Sequence, residues 1–266
     1  MATLVTFHAH PDDESIGSGG TLAKAAAAGH RVVLVVATRG ERGEIPPGLL
    51  APGEALGQRR VAETLQAANI LGVHRVEFLD YRDSGIRGAD TNDDPGCFWR
   101  ADIDQAARQL ATILTEEHPD ALLIYDQNGI TGHPDHLQVH RVGVRATQLV
   151  PVDRVYEGTI SRSRLQRLAS HLATVGASID GEIVGTPDGA ITTTIDVRHY
   201  LRLKRRAMAA HASQISETSP LLAMPPETFE QLWGHEDAIL QGAPPGFHET
   251  NPFPCPQRGL DVVCDG

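Results

Sequence analysis

Two clusters of histidines and carboxylates, His10-Pro11-Asp12-Asp13-Glu14 and His133-Pro134-Asp135-His136, carry side chains able to bind a metal and to move protons. A catalytic zinc takes three protein ligands from imidazoles and carboxylates, with His–Zn bonds of about 2.0–2.1 Å, and keeps a fourth position for water. Adjacent Asp12 and Asp13 cannot point the same way on a turn, so one can bind metal while the other faces that water. The competing reading of this cluster is an ordinary helix start, where acidic residues are favoured by the helix dipole. In the second cluster Pro134 suits the first position of a helix and places His133 at its cap, with His136 one turn on. His136 can then reach a metal while His133 stays free for proton chemistry or charge stabilisation. His140, at i+4 from His136, shares its face and is read as a supporting or surface histidine rather than a further ligand.

Each cluster follows a short apolar run, residues 4–7 and 121–125, that reads as a buried strand, and each precedes a helical pattern. The first 150 residues alternate strand and helix: helices are predicted at 21–28, 55–71 (ended by Gly72), 103–116 and 137–149, with strands at 31–38 and 76–79 between them. Such alternation predicts an α/β fold, a Rossmann-like and mostly parallel sheet with helices on both faces. In an open sheet of this kind the carboxyl ends of the strands form the ligand crevice, where remote clusters can meet. Further strand and helix pairs are predicted at 154–160, 162–173, 190–197 and 200–212. After Gln214 the density of proline and glycine predicts a long irregular, loop-rich C-terminal extension. The chain reads as one domain over 1–266, with its core in about 1–150 and additions from 151 onward. Loops at 39–53, 80–100 and 127–132 follow strands and should open on one face as binding loops. A third His-Pro-Asp, His118-Pro119-Asp120, lies between a helix and the next strand, at the opposite end of the sheet, and is read as a turn.

Composition narrows the field. A net charge of -11, from 23 basic and 34 acidic residues, with no dense basic run beyond Lys204-Arg205-Arg206, disfavours nucleic acid and anionic membranes as partners. The apolar stretch around 25–37 is broken by His30 and Arg31, so no span is predicted and a cytoplasmic location is expected, with homo-oligomerisation left open. Cys97, Cys255 and Cys264 form no Cys-x-x-Cys and are read as incidental. Gly17-Ser18-Gly19-Gly20 lacks the full dinucleotide spacing and follows a carboxylate run that would repel a pyrophosphate, which disfavours an oxidoreductase. Ser84 lacks the surroundings of a nucleophile elbow. Arg60 and Glu63 share a helix face, with an exposed ion pair competing against substrate binding.

The segments Ala9-His10-Pro11-Asp12-Asp13-Glu14, Arg82-Asp83-Ser84-Gly85 and Asn128-Gly129-Ile130-Thr131-Gly132-His133-Pro134-Asp135-His136 resemble the PIG-L/LmbE family of zinc-dependent N-acetylglucosaminyl deacetylases. The likeness runs from about Leu4 to His140, and the mycothiol-pathway deacetylases and amidases are its nearest branch. It implies that His10, Asp13 and His136 bind Zn2+, with Fe2+ as the alternative. It further implies that Asp12 is the general base and that His133, oriented by Asp135, stabilises the oxyanion as an imidazolium or protonates the leaving amine. Arg60 and Asp83 would hold the hydroxyls of a small amino-sugar substrate. Residues 39–44 resemble a family loop and Ala210-His211-Ala212-Ser213-Gln214 a late family motif. Two competing readings stay open: an amidase for a larger acyl group on a glucosaminyl conjugate such as a mycothiol S-conjugate, and a non-catalytic sugar-binding protein.

Overall fold

A computed structural model describes residues 1–174, 176 and 185–253. Cys255 and Cys264 lie outside the described residues, as do Pro254 and Pro256 of the expected tail. In chain order the elements are β1 (Thr3–His8), α1 (Asp13–Gly17), α2 (Gly19–Ala27), β2 (Arg31–Thr38), α3 (Leu56–Leu71), β3 (Arg75–Tyr81), α4 (Ile103–Glu117), β4 (Ala121–Tyr125), α5 (Gly129–Gly132), α6 (Pro134–Leu149), β5 (Arg154–Thr159), α7 (Arg162–Thr174), β6 (Thr193–Asp196), α8 (Leu201–Ala210), α9 (Pro226–Trp233) and β7 (His235–Leu240).

The strands form one seven-stranded sheet in the order β3-β2-β1-β4-β5-β7-β6. β1 to β5 are parallel; β7 runs antiparallel to β5, and β6 antiparallel to β7. Residues 32–37 are apolar at every position and buried throughout, as a strand covered on both faces requires. One face is closed by α4 and α6, where Leu110, Leu114, Val139 and Val142 meet Val5, Val33 and Leu122. On the other, Leu22, Leu71 and Ala207 from α2, α3 and α8 pack on Leu4 and Val32. Each fully buried leucine contributes about 1.5–3 kcal/mol of transfer free energy to these layers. Gly72 ends α3 in the left-handed conformation (φ 77°), which a residue without Cβ adopts at little cost.

Strand order reverses between β1 and β4, the switch point at which open α/β sheets bind ligands. The two histidine clusters follow these two strands, and the loops at 39–53 and 80–100 follow β2 and β3 onto the same edge.

The segment after Gln214 departs from the irregular extension expected of it, because it contains α9 and β7, and β7 joins the sheet. Hydropathy hides β7, since its buried positions include Glu236 and Asp237. Both acids are satisfied internally: Glu236 by Lys204 and the amides of Gly20 and Thr21, and Asp237 by Arg164 and Thr194. A carboxylate partnered in this way can occupy a buried strand position.

Candidate active site

β1 ends at His8, and the chain then turns sharply to place His10, Asp12 and Asp13 at the mouth of the switch point. Asp12 has φ 99° and ψ -30°, a backbone that L-residues rarely adopt. β4 ends at Tyr125, and the Asp126 carboxylate accepts the N–H groups of Asn128 (2.9 Å) and Ile130 (3.0 Å). That turn holds Ile130 at φ 58° and delivers His133 to the cap of α6, as the Pro134 spacing predicts.

The clusters meet. His10 Nδ1 lies 3.3 Å and His136 Nε2 3.4 Å from Asp13 Oδ2. For a tetrahedral ion with bonds of about 2.0–2.1 Å, neighbouring ligand atoms stand about 3.3–3.4 Å apart, so these separations suit zinc. The outer nitrogen of each ring is engaged elsewhere: His10 Nε2 lies 3.1 Å from Asp135 Oδ2, and His136 Nδ1 lies 3.1 Å from the Gly129 carbonyl. Partners of this kind fix the orientation of metal-binding histidines and leave the inner nitrogen free. Two groupings, His10 with His133 and His136, and His10 with Asp83 and Asp135, hold ligand atoms within 4.8 Å of one another. In the first, His133 Nδ1 already accepts the Asp135 N–H (3.1 Å); in the second, both carboxylates address the outer nitrogen of His10. A divalent ion held by His10, Asp13 and His136 would use the ring nitrogens that face Asp13, within reach of the other two groupings.

Asp12 is gripped by Arg60, whose guanidinium donates to the Pro11 carbonyl and reaches Asp12 Oδ2 at 3.3 Å. Burial raises the Asp12 pKa to about 6, with Arg60 opposing it. His133 packs its ring 4.6 Å from that of His10. Burial, and then the neighbouring His10 and His136, push its pKa down to about 4, which favours a neutral ring over the imidazolium expected for it. Because Nδ1 accepts the Asp135 N–H, the neutral ring carries its proton on Nε2 and can donate from there.

Three expected relationships are rearranged. The Asp135 carboxylate serves His10 and Ser84, and what it offers His133 is its backbone N–H. Arg60 is buried and spends both terminal nitrogens on Gly40, Pro11 and Asp12 rather than facing open space for a sugar. Arg60 and Glu63 are not an exposed pair, since Glu63 is buried on the N–H and hydroxyl of Ser213. Asp83 does sit in the site, 3.6 Å from His10 Nε2, with the amides of Gly85 and Arg42 on its oxygens. His140 turns away to the Tyr125 carbonyl. The Gly17-Ser18-Gly19-Gly20 turn has its helix N-terminus filled by Glu236, which explains why it needs no phosphate.

The sequence gives no role to His8 and Tyr125, joined at 2.9 Å beneath His136, and Ser84, set aside there as a nucleophile, clamps Asp135 through its N–H and hydroxyl. A histidine at the end of a continuously buried run is the signal that could have found His8. Beside Asp13 and His136 opens a cavity of about 310 Å³, walled largely by Leu123, Leu165, Leu168, Leu172, Leu221 and Trp233.

The chain is 40% identical over 271 residues to a 1D-myo-inositol 2-acetamido-2-deoxy-alpha-D-glucopyranoside deacetylase of Thermomonospora curvata, covering 91% of each chain. It is 40% identical over 288 residues to the protein of the same description from Acidothermus cellulolyticus, covering 100% of this chain and 98% of that one. The fold matches the N,N'-diacetylchitobiose deacetylase of Pyrococcus horikoshii with a TM-score of 0.58 at 20% identity, over 90% of this chain and 83% of that one. The GlcNAc-PI de-N-acetylase family profile matches residues 5–147, a span that contains both histidine clusters and the strands that carry them. The chain belongs to the PIG-L family of GlcNAc-PI de-N-acetylases.

Proposed function

We propose that this protein hydrolyses the N-acetyl amide of a small N-acetylglucosaminyl substrate, with Zn2+ held by His10, Asp13 and His136. The observation that carries this reading is the convergence of two pre-oriented imidazoles on Asp13, with the carboxylate of Asp12 alongside. A bound zinc ion supplies Lewis-acid polarisation of the amide carbonyl and lowers the pKa of water toward ~7. Asp12, ionised at neutral pH yet more basic than an ordinary carboxylate, takes the proton of the attacking water and can return it to the departing nitrogen. His133 donates from Nε2 to the oxyanion that develops on the carbonyl oxygen. Asp83 offers an acceptor for sugar hydroxyls, whereas Arg60 acts on the substrate only through Asp12. The relatives named for an acetylglucosaminyl inositol make that glycoside the first substrate to try, and we place the reaction in the cytoplasm.

The test is release of primary amine from a panel of N-acetylglucosaminides by zinc-loaded, iron-loaded and chelated protein. Metal-dependent release is expected, greatest with the inositol glycoside. Equal release by chelated protein would remove the metal from the reading, and no release from any acetylated sugar would remove the deacetylase.

The leucine-lined cavity beside His136 favours a second reading, cleavage of a longer acyl chain, because an acetyl methyl leaves most of its volume unused. An N-acyl series from acetyl to octanoyl on one glucosaminide separates the two by where kcat/KM peaks.

A further inference from the structure

The strained backbone of Asp12 raises the question of what holds it. An L-residue in a sparsely populated region persists only where its surroundings over-determine it. Arg60 grips one side, through the Pro11 carbonyl and Asp12 Oδ2. On the other side the Asp12 N–H donates to Glu14 Oε2 at 3.0 Å. Glu14 is fully buried, and its second oxygen accepts from Ser15 Oγ (2.6 Å) and His211 Nε2 (2.7 Å). His211 lies 197 residues away in sequence, at the C-cap of α8, and is itself fully buried. Its Nδ1 has no hydrogen-bond partner among the described residues. Burial works against charge on both members, yet His211 holds the Glu14 carboxyl below its usual range and Glu14 holds the His211 ring above its own. Two residues on, Ser213 bonds Glu63 through N–H and Oγ, tying the same segment to α3, the helix that carries Arg60. Both grips on Asp12 are thereby joined through residues 211–213.

We propose that His211, acting through Glu14, is a positioning residue for the base: it locks the Asp12 peptide in its strained conformation and so sets the aim of the Asp12 carboxylate. This inference rests on Asp12 being the base. Glu14 and His211 touch neither of the other two metal-binding candidates, His10 and His136, in any contact described above. Metal content, measured on each variant, therefore reads the ligand role apart from the aim of Asp12.

The experiment compares His211→Leu, which keeps bulk and loses the donor, with His211→Gln, which restores an N–H toward Glu14. Asp12→Asn serves as the reference, and the probe is the N-acetylglucosaminyl inositol. His211→Leu is expected to lower kcat about tenfold to a hundredfold, the range for misplacement of a catalytic group, with KM within about twofold and metal stoichiometry unchanged. His211→Gln should recover most of the loss. A folded His211→Leu protein with full kcat, or equal loss in both variants, overturns the proposal.

Should the lone leucine prevent folding, the double variant Glu14→Met/His211→Leu replaces both partners by apolar groups, a change that is often neutral for stability. A crystal structure of that variant gives a readout independent of turnover: Asp12 φ is expected to leave the positive region, and retention of φ near its present 99° overturns the clamp. Activity retained in Asp12→Asn would instead overturn the base, whatever the backbone does.

Discussion

The tripeptide His-Pro-Asp stands at both ends of β4, and the two copies meet different fates. At the amino end, His118 closes α4 in the left-handed conformation (φ 45°), is exposed, and leaves the site untouched. Asp120 accepts the Thr3 N–H at 2.7 Å and so pins β1 beside β4. The carboxylates nearby are matched by cations: Glu117 by Arg31 and Arg75, and Glu116 by Arg75. At the carboxyl end, His136 and Asp135 are buried, and Asp12, Asp13, Asp83 and Asp135 crowd around three imidazoles, with the Arg60 guanidinium against Asp12. Identical side chains thus serve as surface punctuation where each charge finds its opposite, and as a reactive cluster where they do not. Like charges held together in a buried crevice cost stability, and such groupings mark functional sites.

The largest effect is expected at the carboxyl end. Removing the imidazole in His136→Ala should strip the site of metal and with it the deacetylase activity. The loss of zinc affinity should exceed the about 10–100-fold that follows removal of an outer partner. Metal analysis after dialysis checks this; a variant that retains stoichiometric zinc would shift the ligand role to His133 or Asp83.

At the amino end a change of charge should act on stability alone. Hydrogen bonding to Arg31, and then to Arg75, holds the Glu117 carboxyl down to about 2. A depressed carboxylate contributes stability above its ordinary pKa near 4.5 and loses it as pH falls toward 2. Because Arg31 and Arg75 are partly open to solvent, we expect Glu117→Gln to cost about 1 kcal/mol at pH 7 rather than the full value of the shift. Thermal melts of both proteins from pH 7 to pH 2 should therefore converge at the acid end, with kcat unaffected. A gap that is constant with pH would mean that packing, not charge, is lost.

The smallest effect is expected at His118→Gly. Glycine accepts the positive φ at the helix end, so stability should stay within about 0.5 kcal/mol, with metal content and turnover unchanged. Any fall in turnover would show that the two copies of the tripeptide are not independent.

Much of this could be read without coordinates, for identifiable reasons. Apolar runs at 31–38 and 121–125 coincide with β2 and β4 to the residue, because strands buried on both faces leave no room for polar interruptions. The helices at 55–71 and 103–116 end within one residue of α3 and α4, where Gly72 and His118 adopt left-handed caps. Position after a strand, rather than the tripeptide itself, separates His133 from His118, and strand alternation is a local property of the chain. Local pattern thus determined the parallel sheet, the edge on which both clusters lie, and the residue types available there.

Tertiary structure alone decided the pairings, because each joins residues far apart in sequence through contacts that no period encodes. Asp135 was free by sequence to face His133, yet packing turns its carboxylate onto His10 and Ser84. Arg60 reads as an exposed helix position until α3 docks beneath the 39–44 loop and buries it on Asp12. Glu236 carries no local signal and His211 only a motif likeness that names no partner; one becomes a strand residue because α2 presents two amides to it, and the other a partner of Glu14 because α8 ends against α1. A buried polar group is stable only where its complement arrives, and the arrival is a property of the assembled fold.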